Sequence, residues 1–253
     1  MAEDSINVLR AERDRLACAL AERSAQVEAN SKEFEQFTQI LCHDLRAPLR
    51  ALEGFSQILI DDYRDNLGAE GKQCVEILAS SARKASALIE DLHAFWRLCR
   101  KPLNPAVVDM RRLAEQKAGE LRNEGNEVEF RIEAMPEAWG DPELLGSVLE
   151  ELLRNAVKFS SRQAHPCVEV RGRSENRRAV YCVQDNGAGF DPKFASRLFA
   201  VFQRLHDEKD FPGRGIGLAT VQRLVHRHGG EVWAEGKANN GAAFSFSLPT
   251  RPL

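Results

Sequence analysis

The sequence predicts an α+β fold, in which an N-terminal helical hairpin forms a dimeric four-helix bundle and a two-layer α/β sandwich follows. Two patterns support this prediction. Through about residue 100, apolar residues recur at alternating three- and four-residue steps, as they do in amphipathic helices. Beyond a proline-containing break, short alternating segments typical of strands are interspersed with helical ones, which favours a sheet covered by helices.

Composition and charge exclude several classes of protein. The net charge of -3 over 253 residues gives neither a nucleic-acid-binding surface nor a polybasic membrane-binding surface. No apolar run approaches the ~20 residues of a membrane span, so none is expected in this chain. The six cysteines are scattered without a CxxC pair, which favours free thiols in a reducing compartment and hence a cytoplasmic protein.

The first segment, residues 1–36, is predicted to be a coiled-coil helix, because it lacks glycine and proline and carries a three/four-residue apolar seam. The seam positions are Leu9, Leu16, Leu20, Val27 and Phe34. Nothing else early in the chain can cover this seam, so we expect a second copy of the helix to do so. A monomeric surface helix is the alternative.

The next segment, residues 37–100, is predicted to be two helices joined by a polar break at residues 63–71. In the first helix the seam continues at Leu41, Leu45, Leu52, Phe55 and Leu59. In the second helix it comprises Val75, Leu78, Ala82, Ala85, Ile89, Leu92, Trp96 and Cys99. Two such hairpins would form a homodimeric bundle that is held together by burial of their seams.

The rest of the chain is predicted to be a linker at residues 101–107, which contains Pro102 and Pro105, and an α/β domain at residues 108–253. Helices are expected after a capping Asp109, from Asp141 to Phe159, near 193–204 and over 216–228. Strands are expected at 128–132, 167–173, 179–184, 231–234 and 243–248. Helices on one side of a mixed or antiparallel sheet would complete the sandwich.

His43 is predicted to lie on the outer surface of the first bundle helix. It is two residues from both Leu41 and Leu45, and is therefore about 200° around the helix from each. An acid, Asp44, follows it directly. An exposed imidazole beside a carboxylate suits a phosphoryl acceptor if the chain also binds a nucleotide, whereas an ordinary surface histidine is the alternative.

Three polar residues near the end of the predicted Asp141–Phe159 helix share one face. Glu151, Asn155 and Lys158 are spaced at i, i+4 and i+7. An amide oxygen can join the coordination shell of a Mg²⁺ that keeps several waters, and an ammonium group can meet phosphate oxygens. The alternative is an ordinary amphipathic helix with a polar flank.

Two glycine-rich segments follow. Asp185, Gly187 and Gly189 form an Asp-x-Gly-x-Gly turn after a strand, where glycines allow close approach to a planar base and the carboxylate can accept from an exocyclic amine. A second loop carries Gly213, Gly215 and Gly217 before a helix, whose N-terminus favours anionic phosphate. The alternative for the first segment is a tight turn, and a lone glycine loop is a weak signal.

These motifs together resemble those of sensor histidine kinases. The run His43-Asp44-Leu45-Arg46-Ala47-Pro48-Leu49 looks like the H-box, and its surroundings are most like those of phytochrome-type bacterial kinases. The segments around Asn155, Asp185, Phe199–Arg204 and Gly213–Leu218 resemble the N-, G1-, F- and G2-boxes, in the order that the family has them.

The resemblance implies an ATP-binding fold shared with Hsp90-type chaperones and gyrase-type ATPases. It also implies an ATP- and Mg²⁺-dependent protein histidine kinase, in which His43 and Asp44 are catalytic. Metal contacts would come from Asn155 and Glu151. Nucleotide contacts would come from Asn155, Lys158, Asp185, Gly187, Gly189, Arg204, Gly213, Gly215, Gly217 and Leu218.

By the same resemblance, the chain would take part in a two-component system. Phosphoryl would pass from ATP to His43, and then to an aspartate on a response-regulator receiver domain. The linker would serve as the hinge of a mobile ATP-binding domain. A signal would reach the kinase from an upstream sensor domain or a separate sensor protein.

The sequence departs from the family pattern at three places. Ala47 stands where many relatives have a Thr or Asn that holds a water, so weak phosphatase activity is expected. Glu151 replaces a frequent Asn, which raises the alternative of an ATPase that uses Glu151 to activate water. The segment 241–244 lacks a threonine that is common near the adenine.

A non-catalytic dimeric scaffold is the remaining alternative for the whole chain. The other histidines have no cysteine at metal-ligand spacing and are interpreted as surface or core residues. They are His93, His165, His206, His226 and His228.

Overall fold

The computed structural model describes residues 15, 19, 22, 23, 40, 42, 44–63, 66–125, 127–175, 178–207 and 210–251. The predicted coiled coil at residues 1–36 therefore lies almost wholly outside the described residues, as does His43. The chain divides into two compact units, Met1–Trp96 and Arg97–Leu253. The boundaries predicted at residues 36, 100 and 107 stay predictions.

The first unit is helical. Helix α1 runs through residues 44–61, and helix α2 spans Ala69–Arg100. The polar break lies where the sequence predicted it, although α2 begins at Ala69 and so includes Gly71. The predicted pair of helices is confirmed.

The apolar seam of the first unit is largely open to solvent in the single chain. Leu52 and Phe55 are 54% and 69% exposed, and Leu78 of α2 is 56% exposed. Among the described residues of this unit, fewer apolar side chains are buried than are exposed. The buried ones are Cys42, Val75, Ala79, Ala82 and Phe95. One chain alone thus leaves the α1 part of the predicted seam and Leu78 of α2 exposed, whereas Val75 and Ala82 of α2 are buried.

The second unit alternates strands and helices in the order β1 (Ala106–Val108), α3 (Met110–Asn123), β2 (Glu129–Ile132), β3 (Ala138–Gly140), α4 (Pro142–Ser160), β4 (Cys167–Glu175), β5 (Arg178–Asp185), a 3-10 helix (Pro192–Arg197), α5 (Gly217–Arg227), β6 (Glu231–Gly236) and β7 (Ala242–Pro249). Both predicted acidic caps are present. Asp109 accepts from the N–H of Arg112, and Asp141 accepts from the N–H groups of Glu143 and Leu144.

In the described part of this unit, a five-stranded sheet has the order β2-β4-β5-β7-β6. Strand β2 runs parallel to β4, and the other neighbours are antiparallel. Helices α3, α4 and α5 pack against the sheet around a core that includes Leu149, Leu152, Tyr181, Leu224 and Phe246. The predicted two-layer α/β sandwich is confirmed.

Two details differ from the sequence prediction. Strands β1 and β3, which pair antiparallel with each other, were not predicted because three residues are too few to show an alternating pattern. The helix expected at 193–204 is only the 3-10 turn Pro192–Arg197. Phe202 has a φ of 62°, a left-handed conformation that cannot continue a right-handed helix.

None of the helices that the structure describes is long and apolar enough to cross a membrane.

Candidate nucleotide site

Helix α4 places the three predicted polar residues on one half-exposed flank. Its opposite side is fully buried at Leu149, Leu152 and Leu153, because apolar residues at helical spacing face the sheet. Glu151, Asn155 and Lys158 are therefore left on the side away from the core. The shared face predicted from their spacing is confirmed by the geometry, while their roles stay predictions.

Lys158 lies in a crowded and cationic environment. Its Nζ is 4.3 Å from the centre of the Phe159 ring. Burial, followed by the nearby Arg204 guanidinium, lowers the pKa of Lys158, and only Glu151 acts in the opposite direction. An anion beside Lys158 and Arg204 would stabilise the charged form of the lysine against both burial and the repulsion from Arg204. This position is therefore suited to a phosphate group.

The start of α5 packs directly onto this flank of α4. A Cβ on Gly217 would lie 2.4 Å from Oε2 of Glu151 and 3.7 Å from Nδ2 of Asn155. A Cβ on Gly213 would lie 3.1 Å from Nζ of Lys158. The loop predicted to bind phosphate and the helix predicted to bind metal are thus brought together.

Gly215 has a different function in the same loop. Its φ of 75° is left-handed, and its carbonyl accepts from the N–H of Phe202 at 2.8 Å. A Cβ there would lie 2.7 Å from the carbonyl oxygen of Gln203. Gly215 therefore fixes the loop against the 199–203 segment, while Leu218 packs against the hydrophobic core.

Asp185 ends β5 and is almost fully buried, with 4% of its surface exposed. Its Oδ1 accepts from the N–H of Gly187 at 2.8 Å, whereas its Oδ2 is buried without a hydrogen-bond partner within the protein. Burial raises the pKa of Asp185 to about 6, and the nearby backbone N–H groups of Gly187 and Ala242 offset this only in part. A buried acceptor left unpaired indicates a position for a donor from a ligand.

The turn after Asp185 packs closely against the C-terminal end of α4 and the turn between β6 and β7. A Cβ on Gly187 would lie 2.2 Å from the Phe159 carbonyl oxygen, and one on Gly189 would lie 2.0 Å from the Lys237 carbonyl oxygen. Gly189 also has a left-handed φ of 59°, which favours glycine. The N–H of Gly241 donates to the Gly187 carbonyl at 3.0 Å. These contacts hold the turn at the C-terminal end of α4.

A cavity of about 380 Å³ opens beside this turn. Its walls include Phe159 and Phe190 together with Gly189, His206 and Phe211. The rings of Phe159, His206 and Phe211 lie 5.0–5.3 Å apart, and Nε2 of His206 is 2.9 Å from the Gly189 carbonyl oxygen. The volume and the aromatic walls fit a planar organic ligand.

Sequence reasoning missed the contribution of these aromatic residues. It assigned Phe159 only to the end of a helix, and it treated His206 as an ordinary surface or core histidine. The signal that could have identified them is weak, because their proximity depends on contacts over 47 to 52 positions that a sequence pattern does not encode.

The remaining histidines agree with the prediction. His228 is buried, with Nδ1 on the Leu224 carbonyl at 2.7 Å and Nε2 accepting from the N–H of Asp141 at 3.0 Å. Burial lowers the pKa of His228, so it serves as a neutral structural bridge. His165 and His226 are exposed, and His93 is half-buried.

The predicted phosphoacceptor cannot be placed. His43 lies outside the described residues, so its predicted exposure is untested. Its neighbour Asp44 is exposed on α1, and Cys42 is buried. Among the described residues, no group of three or more His, Cys, Asp or Glu side chains could hold a metal ion without a ligand.

Two family models match the chain. The model described as "Histidine kinase-, DNA gyrase B-, and HSP90-like ATPase" matches residues 140–252, which contain the site above. The model described as "His Kinase A (phospho-acceptor) domain" matches residues 35–98, which contain His43.

Curated relatives agree with these matches. The phytochrome-like protein Cph1 of Synechocystis is 28% identical over 93% of this chain and 32% of its own length. The methanogenesis regulatory histidine kinase FilI of Methanothrix harundinacea is 32% identical over 91% of this chain and 26% of its own length. The chain belongs to the sensor histidine kinases. Its two domains are those of a protein histidine kinase, and it spans between a quarter and a third of the length of these relatives.

Solved histidine kinases share the fold of this sensor histidine kinase. Full-length ShkA, crystallised in complex with AMPPNP, has a TM-score of 0.59 and 28% identity, covering 86% of this chain and 47% of ShkA. The mycobacterial sensor histidine kinase MprB has a TM-score of 0.52 and 28% identity, covering 59% of this chain and 99% of that structure.

Proposed function

We propose that this chain is an ATP-dependent autophosphorylating kinase of a two-component system, which transfers a phosphoryl group to His43 and then to a response-regulator aspartate. The observation that carries the proposal is that one glycine loop packs on the polar flank of α4 and the other packs at its C-terminal end, where a buried Asp185 oxygen lacks a partner. A phosphoacceptor domain in the same chain supplies the acceptor.

The nucleotide base is proposed to bind beside the Asp185 turn. The unpaired Oδ2 would accept from the exocyclic amine of adenine, and the aromatic wall formed by Phe159 would contact the ring. ATP is supported by the ATPase domain model and by the nucleotide analogue bound in ShkA. The missing threonine in segment 241–244 leaves Asp185 as the main polar contact for the base.

The phosphates are proposed to lie between α4 and the loop that starts α5. Lys158 and Arg204 would neutralise their charge, and the backbone N–H groups near Gly215 and Gly217 would donate to them. The amide of Asn155 and the carboxylate of Glu151 fit a Mg²⁺ ion that takes its other ligands from phosphate and water. When bound, the metal supplies charge neutralisation for phosphoryl transfer.

The transfer step is proposed to form a bond between phosphorus and a ring nitrogen of His43. The bond from the γ-phosphorus to the β,γ-bridging oxygen breaks, and ADP leaves with that oxygen. The attacking nitrogen must be unprotonated, and the proton on the other ring nitrogen is held by Asp44, which directly follows the histidine. Positioning rather than covalent chemistry by the protein would supply most of the acceleration.

The chain is proposed to act as a homodimer. Exposed apolar side chains on α1 and α2, among them Leu52, Phe55 and Leu78, are the seam that the sequence pattern assigns to a four-helix bundle. The same bundle would receive the receiver domain of the response regulator. Because the curated relatives are about three times longer, an upstream sensor domain or a separate sensor protein is proposed as the source of the signal.

Labelling with γ-labelled ATP tests the proposed function. The wild-type chain is expected to gain label that is labile in acid and stable in base, as a phosphoramidate is. His43→Gln is expected to lose the label while it binds ATP with unchanged affinity. Label that maps to another residue, or a wild-type chain that binds ATP and takes no label, would contradict the proposal; the second result would favour the scaffold alternative.

A second candidate function, ATP hydrolysis by Glu151, has one supporting observation. The Glu151 carboxylate lies against the start of α5, where the phosphates are proposed to bind. ADP release by His43→Gln, with and without Glu151→Ala, distinguishes hydrolysis from transfer. Equal background release from both variants would remove this candidate.

A further inference from the structure

The C-terminal end of α2 and the residues after it are bonded to the last residue of α5. Arg227 donates from Nη2 to the Lys101 carbonyl at 2.6 Å and from Nη1 to the Leu98 carbonyl at 3.4 Å. A helix ends with carbonyls that have no partner in the helix, and the guanidinium reaches one of these, at Leu98, together with the Lys101 carbonyl just after the helix. Arg227 therefore caps α2 from a position 129 residues away from Leu98.

A second connection lies a few residues further along the chain. The N–H of Asn104 donates to Oδ2 of Asp141 at 2.9 Å, while Oδ1 of the same carboxylate caps α4. The Lys101 ammonium also pairs with the Glu143 carboxylate. We refer to Arg227 and Asp141, together with the backbone of residues 98–104, as the linker clamp.

The clamp joins this segment to the two helices that carry the nucleotide site. Asp141 caps the N-terminus of α4, and Arg227 is the last residue of α5. His228 fixes these two ends to each other, because its ring accepts from the Asp141 N–H and bonds to the Leu224 carbonyl. The segment is therefore attached to the rigid part of the ATP-binding domain.

The composition of the segment makes these side chains necessary. Pro102 and Pro105 have no N–H, so the segment can form few backbone hydrogen bonds of its own. Beyond it, β1 pairs with β3 from Ala106 to Val108, which continues the attachment. A proline-containing stretch that would otherwise serve as a hinge is thus bonded to the domain at Leu98, Lys101 and Asn104.

We infer that Arg227 is a positioning residue, which makes residues 98–104 a rigid extension of the ATP-binding domain. The inference rests on the proposed transfer to His43. Movement of the domain during that transfer then occurs N-terminal to Leu98 rather than in the linker. Loss of the clamp would loosen the segment, and the fraction of time that the nucleotide is correctly oriented toward its acceptor would fall.

The test compares Arg227→Met, which keeps an unbranched stem and removes the guanidinium donors, with Arg227→Lys, which keeps one donor group. Arg223→Gln is the matched control, because Arg223 is exposed on the same helix one turn earlier. The measurements are the rate of His43 phosphorylation at saturating ATP, the KM for ATP, and hydrogen exchange of residues 98–104.

Arg227→Met is expected to lower the phosphorylation rate about tenfold and to change the KM for ATP less than about twofold. Exchange in residues 98–104 should become faster. Arg227→Lys should recover part of the rate, and Arg223→Gln should match the wild type. A lower phosphorylation rate with a nearly unchanged KM for ATP indicates a loss of positioning, whereas a general loss of structure would change both.

Three results would overturn the inference. An unchanged rate with faster exchange would show that the clamp has no effect on transfer, and equal losses in ATP binding and rate would show that Arg227 is merely structural. Slow exchange in Arg227→Met would show that the clamp does not depend on this residue. A wild-type chain without label on His43 would instead contradict the proposed function, together with the inference that rests on it.

Discussion

The two units of the chain differ in how they bury their apolar side chains. The ATP-binding unit surrounds a continuous core, in which Leu145, Tyr181 and Phe246 have no exposed surface. The helical unit leaves Phe55 69% exposed and Leu52 54% exposed. The ATP-binding unit can thus bury its core within one chain, whereas the helical unit leaves apolar side chains that a partner would have to cover.

The free energy available from burying the exposed side chains of the helical unit supports this difference between the two units. Burying a large apolar side chain contributes about 1.5–3 kcal/mol relative to leaving it in water. Several such side chains lie on α1 and α2 and are exposed by a third or more: Leu45, Leu52, Phe55, Ile58, Leu59, Ile77, Leu78 and Leu88. Covering them in a dimer would stabilise the helices far more than their intrinsic helix propensity does.

The substitution with the largest expected effect tests whether the ATP-binding unit binds ATP independently of dimerisation by the helical unit. Gly187→Ala would place a Cβ 2.2 Å from the Phe159 carbonyl oxygen and displace the turn that carries Asp185. If this clash weakens the binding free energy of ATP by about 3 kcal/mol, the affinity for ATP falls about 100-fold. Titration with a fluorescent ATP analogue measures the affinity. Dimerisation, measured by sedimentation, should remain unchanged.

Gly119→Ala is the control for this prediction, because a Cβ at that position of α3 would meet nothing within 4 Å. It should bind ATP like the wild type. Unchanged ATP affinity in Gly187→Ala would contradict the close packing described for the turn.

The reciprocal change tests whether the helical unit needs its partner. Leu52→Glu combined with Phe55→Glu puts two charges on the exposed seam of α1. Burying them in the bundle is expected to raise the dimer dissociation constant by about 100-fold, since unpaired charges cost several kcal/mol in an interface. ATP affinity should stay unchanged, which would sharpen the difference between the two units.

Arg50→Glu is the control for the dimer, because Arg50 is exposed on α1 and points about 200° away from Leu52. It should dimerise normally. Equal dissociation constants for the double variant and the wild type would show that these side chains are not in the interface.

A smaller effect concerns pH and lies within the ATP-binding unit. The folded-state pKa of Asp185 is about 6, above its ordinary value of 3.8, because burial disfavours the charged form. This acid therefore binds its proton more tightly in the folded state, so its contribution lowers stability as pH rises from about 4 through 6. Asp185→Asn should thus stabilise the nucleotide-free domain by about 2 kcal/mol at pH 7.5 and by little at pH 4.

Denaturant unfolding at the two pH values checks the prediction, and titration measures ATP affinity in parallel. Wild-type affinity should fall below pH 6, as protonation of Asp185 removes an acceptor for the amine. A stability difference between Asp185→Asn and the wild type that does not vary with pH would contradict the assigned pKa.

The smallest expected effect returns to the helical unit. Ala47 is exposed on α1 and cannot orient a water, so the dephosphorylation of a phosphorylated regulator should be slow. Ala47→Thr adds a hydroxyl at this position and should raise that rate several-fold, about 1 kcal/mol in barrier. Loss of phosphate from the labelled regulator is the measurement. Rapid dephosphorylation by the wild-type chain would contradict the hypothesis.

Much of the fold could be predicted from the sequence, because local signals determine it. The three/four spacing of apolar residues identified α2, and Asp109 and Asp141 marked the starts of α3 and α4. Alternation in β2 and the glycines after α5 gave their approximate bounds. These features depend on residues that are close together in the chain.

The parts that were missed depend on contacts between distant residues. The clamp between Arg227 and Lys101 spans 126 positions, and the contact of Phe159 with Phe211 spans 52. The unpaired Oδ2 of Asp185 is also a product of tertiary burial. The motifs predicted which residues would bind a nucleotide, but only packing could show which groups surround them.

Phe202 illustrates how a locally costly residue can remain in a stable fold. Its backbone occupies the left-handed region at a φ of 62°, and its ring is 45% exposed, so the residue contributes neither relaxed geometry nor complete burial. Asparagine adopts that conformation at a lower energetic cost, and its polar side chain is well solvated. Residue 202 is therefore a position at which a substitution to asparagine could raise the thermal stability of the protein.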